Sequence, residues 1–128
     1  MHGVVTIYHN PLNKWLHAIC SGEFTTSEFQ QTLLNSIHSL KKHGCHYMIL
    51  DCQLAWGAGN IYDWINSQWI DLAEENGLKH LAFVYGSDYP QMFDHDLWVG
   101  RLGFYPCQNL TSAVNWLTRE NKPPSEEQ

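Results

Sequence analysis

The chain has 128 residues, enough for one domain that buries roughly two-thirds of its unfolded surface without a metal or disulfide staple. Its hydrophobic content of 44% against only 16% charged residues excludes an intrinsically disordered chain. A formal charge of −6 excludes a phosphate-backbone binder, which needs a clustered basic face.

The first residues, Met1 to Thr6, carry no basic leader and no long apolar core, so no signal peptide is read here and the cytosol is the expected compartment. No window is apolar enough to span a bilayer. Val4 to Tyr8 and Trp15 to Cys20 are β-rich, and Asn10-Pro11-Leu12-Asn13 is a turn so short that the two strands must be antiparallel. Thr25-Thr26-Ser27-Glu28 offers caps and an acid for a helix N-terminus. Phe29, Leu33, Ile37 and Leu40 then recur at helical spacing as a core-facing stripe. Lys41-Lys42-His43 is the only basic run; before Gly44 it answers the helix dipole rather than forming a site.

Tyr47 to Cys52 reads as a buried strand ending on the acid Asp51. A Gly-rich, Trp-bearing loop from Gln53 to Asn60 follows. An amphipathic helix from Ile61 to Asn76 is next, with Ile61, Trp64, Ile65, Trp69 and Leu72 inward, Asn60 as cap and Asp63 in the first turn. Gly77 stops it, and Leu81 to Tyr85 is a second buried strand. Ser87 or Asp88 caps a short helix holding Met92, Phe93, Leu97 and Trp98. Gly100 to Cys107 is a last strand. Leu110 to Asn121 is a closing helix with Ala113, Val114, Trp116 and Leu117 inward, and Asn109-Leu110-Thr111 is more simply its start than a glycosylation acceptor. Pro123-Pro124 cannot continue a helix, so residues 1–121 form one domain and 122–128 a disordered polar tail. The order β-β-α-β-α-β-α-β-α predicts an α/β fold: a mixed, mostly parallel five-stranded sheet with an antiparallel N-terminal strand and four helices. Both central strands are apolar on both faces, so both faces of the sheet need cover. If the helices all lie on one side, a second subunit must cover the other, which is the reason to expect a homodimer.

No motif completes a catalytic set. Asp51 lacks the acidic pair and trailing lysine that phosphotransfer on an aspartate requires; a structural role, accepting backbone N–H groups of the next loop, is the simpler reading. Gly57-Ala58-Gly59-Asn60 has no following Lys plus Ser/Thr and is not a nucleotide loop. The eight histidines do not fall at metal-ligand spacing. The four cysteines, Cys20, Cys45, Cys52 and Cys107, show no Cys-x-x-Cys pair and read as reduced small hydrophobes. No catalytic residue, metal or cofactor is therefore assigned.

The element order, the strand ending at Asp51, the loop into the Asn60 helix, the segment Gly77 to Val84 and the closing Ala113-Val114-Asn115-Trp116-Leu117 together resemble the SpoIIAA-like, or STAS-type, domains, specifically stand-alone bacterial members. The resemblance implies a sheet with successive β-α turns. In anti-sigma-factor antagonists it also implies a phosphorylatable Ser or Thr at the start of the helix after the strand that here ends at Asp51. This chain has Gly57-Ala58-Gly59-Asn60 there, with no hydroxyl, so that switch does not carry over.

The expectation is a cytoplasmic, non-catalytic regulatory or protein-interaction domain. It would bind a protein partner or itself through Trp56 and the exposed side of the Asn60 to Asn76 helix. Asp51, Asn60, Asp63, Trp64, Ser87 and Asp88 complete the candidate site. The alternative is a small-molecule binder with a Trp- and Phe-lined apolar pocket. No nucleic acid and no membrane is expected as partner.

Overall fold

A computed structural model of the chain describes residues 3–57, 64–85 and 103–120. Strands β1 (Val4–Asn10) and β2 (Trp15–Phe24) form an antiparallel pair. The Asn10 side chain accepts the N–H groups of Leu12 and Asn13 at 3.1 and 3.0 Å, which closes the tight connection. Helix α1 (Thr26–His43) starts on a complete capping box between Thr25 and Glu28. It ends where Gly44 adopts a left-handed φ of 63°. Strand β3 (Tyr47–Gly57) follows, then helix α2 (Ile65–Trp69 continued as Ile70–Glu75), strands β4 (His80–Tyr85) and β5 (Gly103–Cys107), and helix α3 (Leu110–Glu120). Asn109 caps α3 by accepting the Ser112 N–H at 2.8 Å.

The sheet order is β1-β2-β3-β4-β5, with β2 to β5 all parallel. This is the mixed, mostly parallel five-stranded sheet the sequence predicts. Three helices are described rather than four; the predicted helix over Met92 to Trp98 lies outside the described residues, as does the tail. At β5, Gly103 donates its N–H to Lys79 O across the ladder at 2.9 Å. Alternation then points the backbone nitrogens of Phe104 and Pro106 away from β4, where Pro106 has no N–H to offer a further strand. No helix of the described residues is long and apolar enough to cross a membrane.

Helix α2 departs from its predicted stripe. Its first part, Ile65–Trp69, is a wide π-type turn that continues as Ile70–Glu75. The extra residue per turn swings the face. Ile65, Trp69, Ile70 and Ala73 go inward, and Leu72, expected inside, is left 38% exposed. Trp69 is fully buried and donates its indole N–H to Leu33 O at 2.9 Å, fastening α2 to α1.

The helices do not all lie on one side. Helices α1 and α2 cover one face, packing Phe29, Leu33, Leu40, Ile65 and Trp69 on Leu16, Ala18, Met48, Leu50, Leu81 and Phe83. Helix α3 lies on the other, where Ala113 and Leu117 meet Ile49, Ala82, Val84 and Cys107. The premise for a subunit covering a wholly bare face is therefore corrected: the chain covers the β3 to β5 part of that face itself, because the closing helix crosses to it. An aromatic stack pins α3 there. Trp116 stacks on Tyr105 at 5.2 Å and meets His80 edge-on at 5.6 Å, and His80 in turn stacks on Tyr47 at 5.3 Å. Gly103 makes room for this, since a Cβ at that position would overlap the His80 ring.

Two leucines give a contrasting prediction. Leu117→Ala empties a fully buried site and is expected to cost about 2–5 kcal/mol. Leu12→Ala alters a side chain 92% exposed in the β1–β2 connection and is expected to stay within about 0.5 kcal/mol of the parent. Urea unfolding of both variants checks this, and similar losses would contradict the layering.

Candidate functional site

The strand that bears Asp51 does not end there. β3 runs on to Gly57, paired to β2 as far as Gly57 opposite Phe24 and leaving β4 behind at Cys52 opposite Tyr85. Asp51 lies opposite Ile19, whereas Leu54 lies opposite Ser21, so Cys20 alone faces both Cys52 and Gln53. This is a β-bulge, and it frees backbone groups from the ladder. Asp51 satisfies one of them: its Oδ1 accepts the Gln53 N–H at 3.1 Å and the Gln53 side-chain amide at 3.2 Å. The acid is buried, at 8% exposure. Its observed bonds are those of the structural reading, backbone capture just downstream, but inside a strand rather than in a loop.

Trp56 is likewise on a strand and not in a loop. It pairs with Glu23 in the two-stranded extension of β2 and β3 and is 46% exposed. Gly57 ends this extension with φ 89°, and a Cβ there would come within 2.5 Å of Phe24 O, so only glycine fits. Of the other candidates, Trp64 is half-buried against the core on the α1 and α2 side, opposite in facing to Asp51 and Trp56. Asn60, Asp63, Ser87 and Asp88 lie outside the described residues. The structure thus joins Asp51 and Trp56 on one side of β3 and separates Trp64 from them.

What the sequence reading passed over is the surface around Trp56. Because side chains alternate along a strand, Val4, Thr6 and Tyr8 of β1, His17, Ile19 and Ser21 of β2, and Leu54 and Trp56 of β3 share the side of the sheet on which α3 sits. Among the described residues helix α3 packs on β3, β4 and β5 and none covers this strip. Val4 is 60%, Tyr8 55% and Leu54 68% exposed. The signal was present in β1, where Val4, Thr6 and Tyr8 alternate with the inward Val5 and Ile7. A strand apolar on both of its faces has two surfaces to bury.

Chemistry within the described residues is quiet. The Cys52 thiol is pushed well up by its hydrogen bond with the Cys20 side chain, then by burial, with the Asp51 charge a smaller contributor. Burial also raises the Cys45 and Cys107 thiols. A raised thiol is a poor nucleophile at neutral pH. His17 is pushed down by burial, against the pull of the Asp51 carboxylate, and its Nε2 is buried without a described hydrogen-bond partner. His80 is also pushed down by burial, against Glu120, whose carboxylate stands 3.6 Å from its Nε2. Beyond α3, among the described residues, an open groove of about 530 Å³ is lined by Tyr105, Ser112, Asn115, Thr118 and Arg119, a mainly polar set.

No family profile matches the chain, and no curated protein matches it in sequence. Among solved structures it is similar to an uncharacterized protein of the DUF3478 family with a SpoIIAA-like fold from Shewanella loihica PV-4. The two share 16% identity and a TM-score of 0.58 over 91% of this chain and 94% of that one. The fold is SpoIIAA-like, as the sequence resemblance implies.

The two depressed histidines set a pH dependence. In each, the folded pKa lies below the unfolded value of about 6.5. The unfolded chain therefore takes up protons that the folded chain refuses. Their contribution to stability is whole above that value and is lost as pH falls through it toward the folded pKa. Urea midpoints between neutral and mildly acidic pH are expected to fall, and less steeply in His80→Phe. An unchanged slope in that variant would refute the assignment to His80.

Proposed function

We propose that this chain is a cytoplasmic, non-catalytic interaction domain of regulatory type. Its fold is that of the anti-sigma-factor-antagonist modules, but it works without their phosphorylatable hydroxyl. It binds a protein through the uncovered strip of β1, β2 and the β3 extension, with Leu54 and Trp56 as anchors. One observation carries this reading: four large apolar side chains, Val4, Tyr8, Leu54 and Trp56, stand exposed on one side of the sheet next to the helix that covers the rest of it. Exposed apolar surface of this kind marks interaction sites, and aromatic anchors dominate their energetics.

Supporting points come from the chemistry. Asp51 is occupied in holding the bulge, and the Cys45, Cys52 and Cys107 thiols are raised. Gly57-Ala58-Gly59-Asn60 provides no hydroxyl to phosphorylate. The helix surface first expected to dock the partner gives way to the sheet surface, because that is where Trp56 projects.

A photo-crosslinking amino acid placed at Leu54 in cells is expected to give a discrete adduct heavier than the chain, one that disappears on Trp56→Lys. The same group at Gln31, exposed on α1 across the sheet, is expected to give none. Equal labelling at both positions, or none at Leu54, would remove the surface assignment.

A further inference from the structure

The uncovered strip has properties that narrow its occupant. Among the described residues its one exposed acid is Glu23 at the rim, Asp51 on the same side being buried in the bulge; Val4, Thr6, Tyr8, Ile19, Ser21, Leu54 and Trp56 are all uncharged. A nucleic acid or a charged peptide would find no complementary charge there. The matching surface must itself be apolar and nearly uncharged. On a chain of net charge −6, two copies repel across most of their surfaces, and least where carboxylates are few.

Area and shape point the same way. With aromatic side chains offering roughly 150–250 Å² each, the open parts of Val4, Tyr8, Leu54 and Trp56 come to on the order of 400 Å². The half-buried Ile19 and the polar Thr6, Ser21, Gln53 and Glu23 bring the strip toward the roughly 800 Å² per partner of a standard interface. The strip is a sheet surface bounded along one side by the ridge of α3. A second sheet can stack on it at about 10 Å, provided that sheet carries no helix over the overlapping strands. Two copies related by a two-fold axis along the strands, through the middle of the strip, meet that condition. Bare strip meets bare strip, and each α3 lies beside β1 of the other copy.

We propose that the occupant of this strip is a second copy of the chain, in an isologous dimer stacked through β1, β2 and the β3 extension. This rests on the reading of the strip as an interaction surface and names its partner. Helix α3 sets the register of the dimer, because it blocks any overlap beyond β3. By two-fold symmetry every substitution in the strip enters the interface twice.

Sedimentation velocity and native mass spectrometry of the full chain test this across a concentration series. The wild type is expected at twice its 14.8 kDa mass. Leu54→Lys and Tyr8→Lys, both at exposed positions, are expected to weaken the dimer at least about a hundredfold, since each buries two unpaired lysines, one per copy, against an apolar surface. Their far-UV circular dichroism and melting as monomers should be retained. A wild type that stays monomeric at high micromolar concentration overturns the proposal, and so does a dimer that survives both substitutions. The Leu54 crosslink separates the two claims. An adduct at twice the chain mass supports the dimer. An adduct only at another mass overturns self-pairing and leaves the interaction surface standing, whereas no adduct overturns both.

Discussion

Strand β3 is apolar on both of its faces, and a strand of that kind has to be covered twice. Met48, Leu50 and Cys52 look toward α1 and α2, and Ile49 looks toward α3. Neither cover is optional, because burial of apolar surface is the main force that offsets chain entropy. The first cover is assembled from successive crossover helices, which handedness places on one side of a sheet built in sequential order. The second needs the chain to cross over after its last strand. Asn109 caps the helix that does so, and the Tyr47, His80, Trp116 and Tyr105 rings fasten it.

One helix is narrower than five strands. Helix α3, at 11 residues, packs on three strands, and among the described residues none covers the side of β1 and β2 that faces away from α1. The apolar residues at Val4, Tyr8, Leu54 and Trp56 are distributed as if that surface were meant to be buried. An edge strand with two apolar faces is otherwise a liability in solution.

The bulge at Asp51 links this surface to the interior. By inserting one residue into β3 it restores the inward facing of Ala55 and turns Leu54 and Trp56 outward. A side-chain carboxylate at the position where the ladder loses a partner satisfies Gln53 and stays out of water. The acid that looks most like chemistry in the sequence thus holds the backbone of the bulge, beside which Leu54 and Trp56 turn outward.

The sequence by itself determined the fold class, the antiparallel hairpin, the parallel crossovers, the capping of α1 and the inward stripe of α3. These rest on period, caps and turn residues, which are local and are written in neighbouring positions. The sequence could not decide where β3 ended, because a bulge keeps a strand going through residues that break its alternation, and Gln53 to Gly57 then read as a loop. It could not foresee the π-type turn that exposed Leu72, since a helical period counts residues and not hydrogen bonds. Nor could it say which face α3 would take. That choice belongs to tertiary packing, because Ala113 and Leu117 would have fitted either side of the sheet, and only the fit of Trp116 against His80 and Tyr105 made one of them specific.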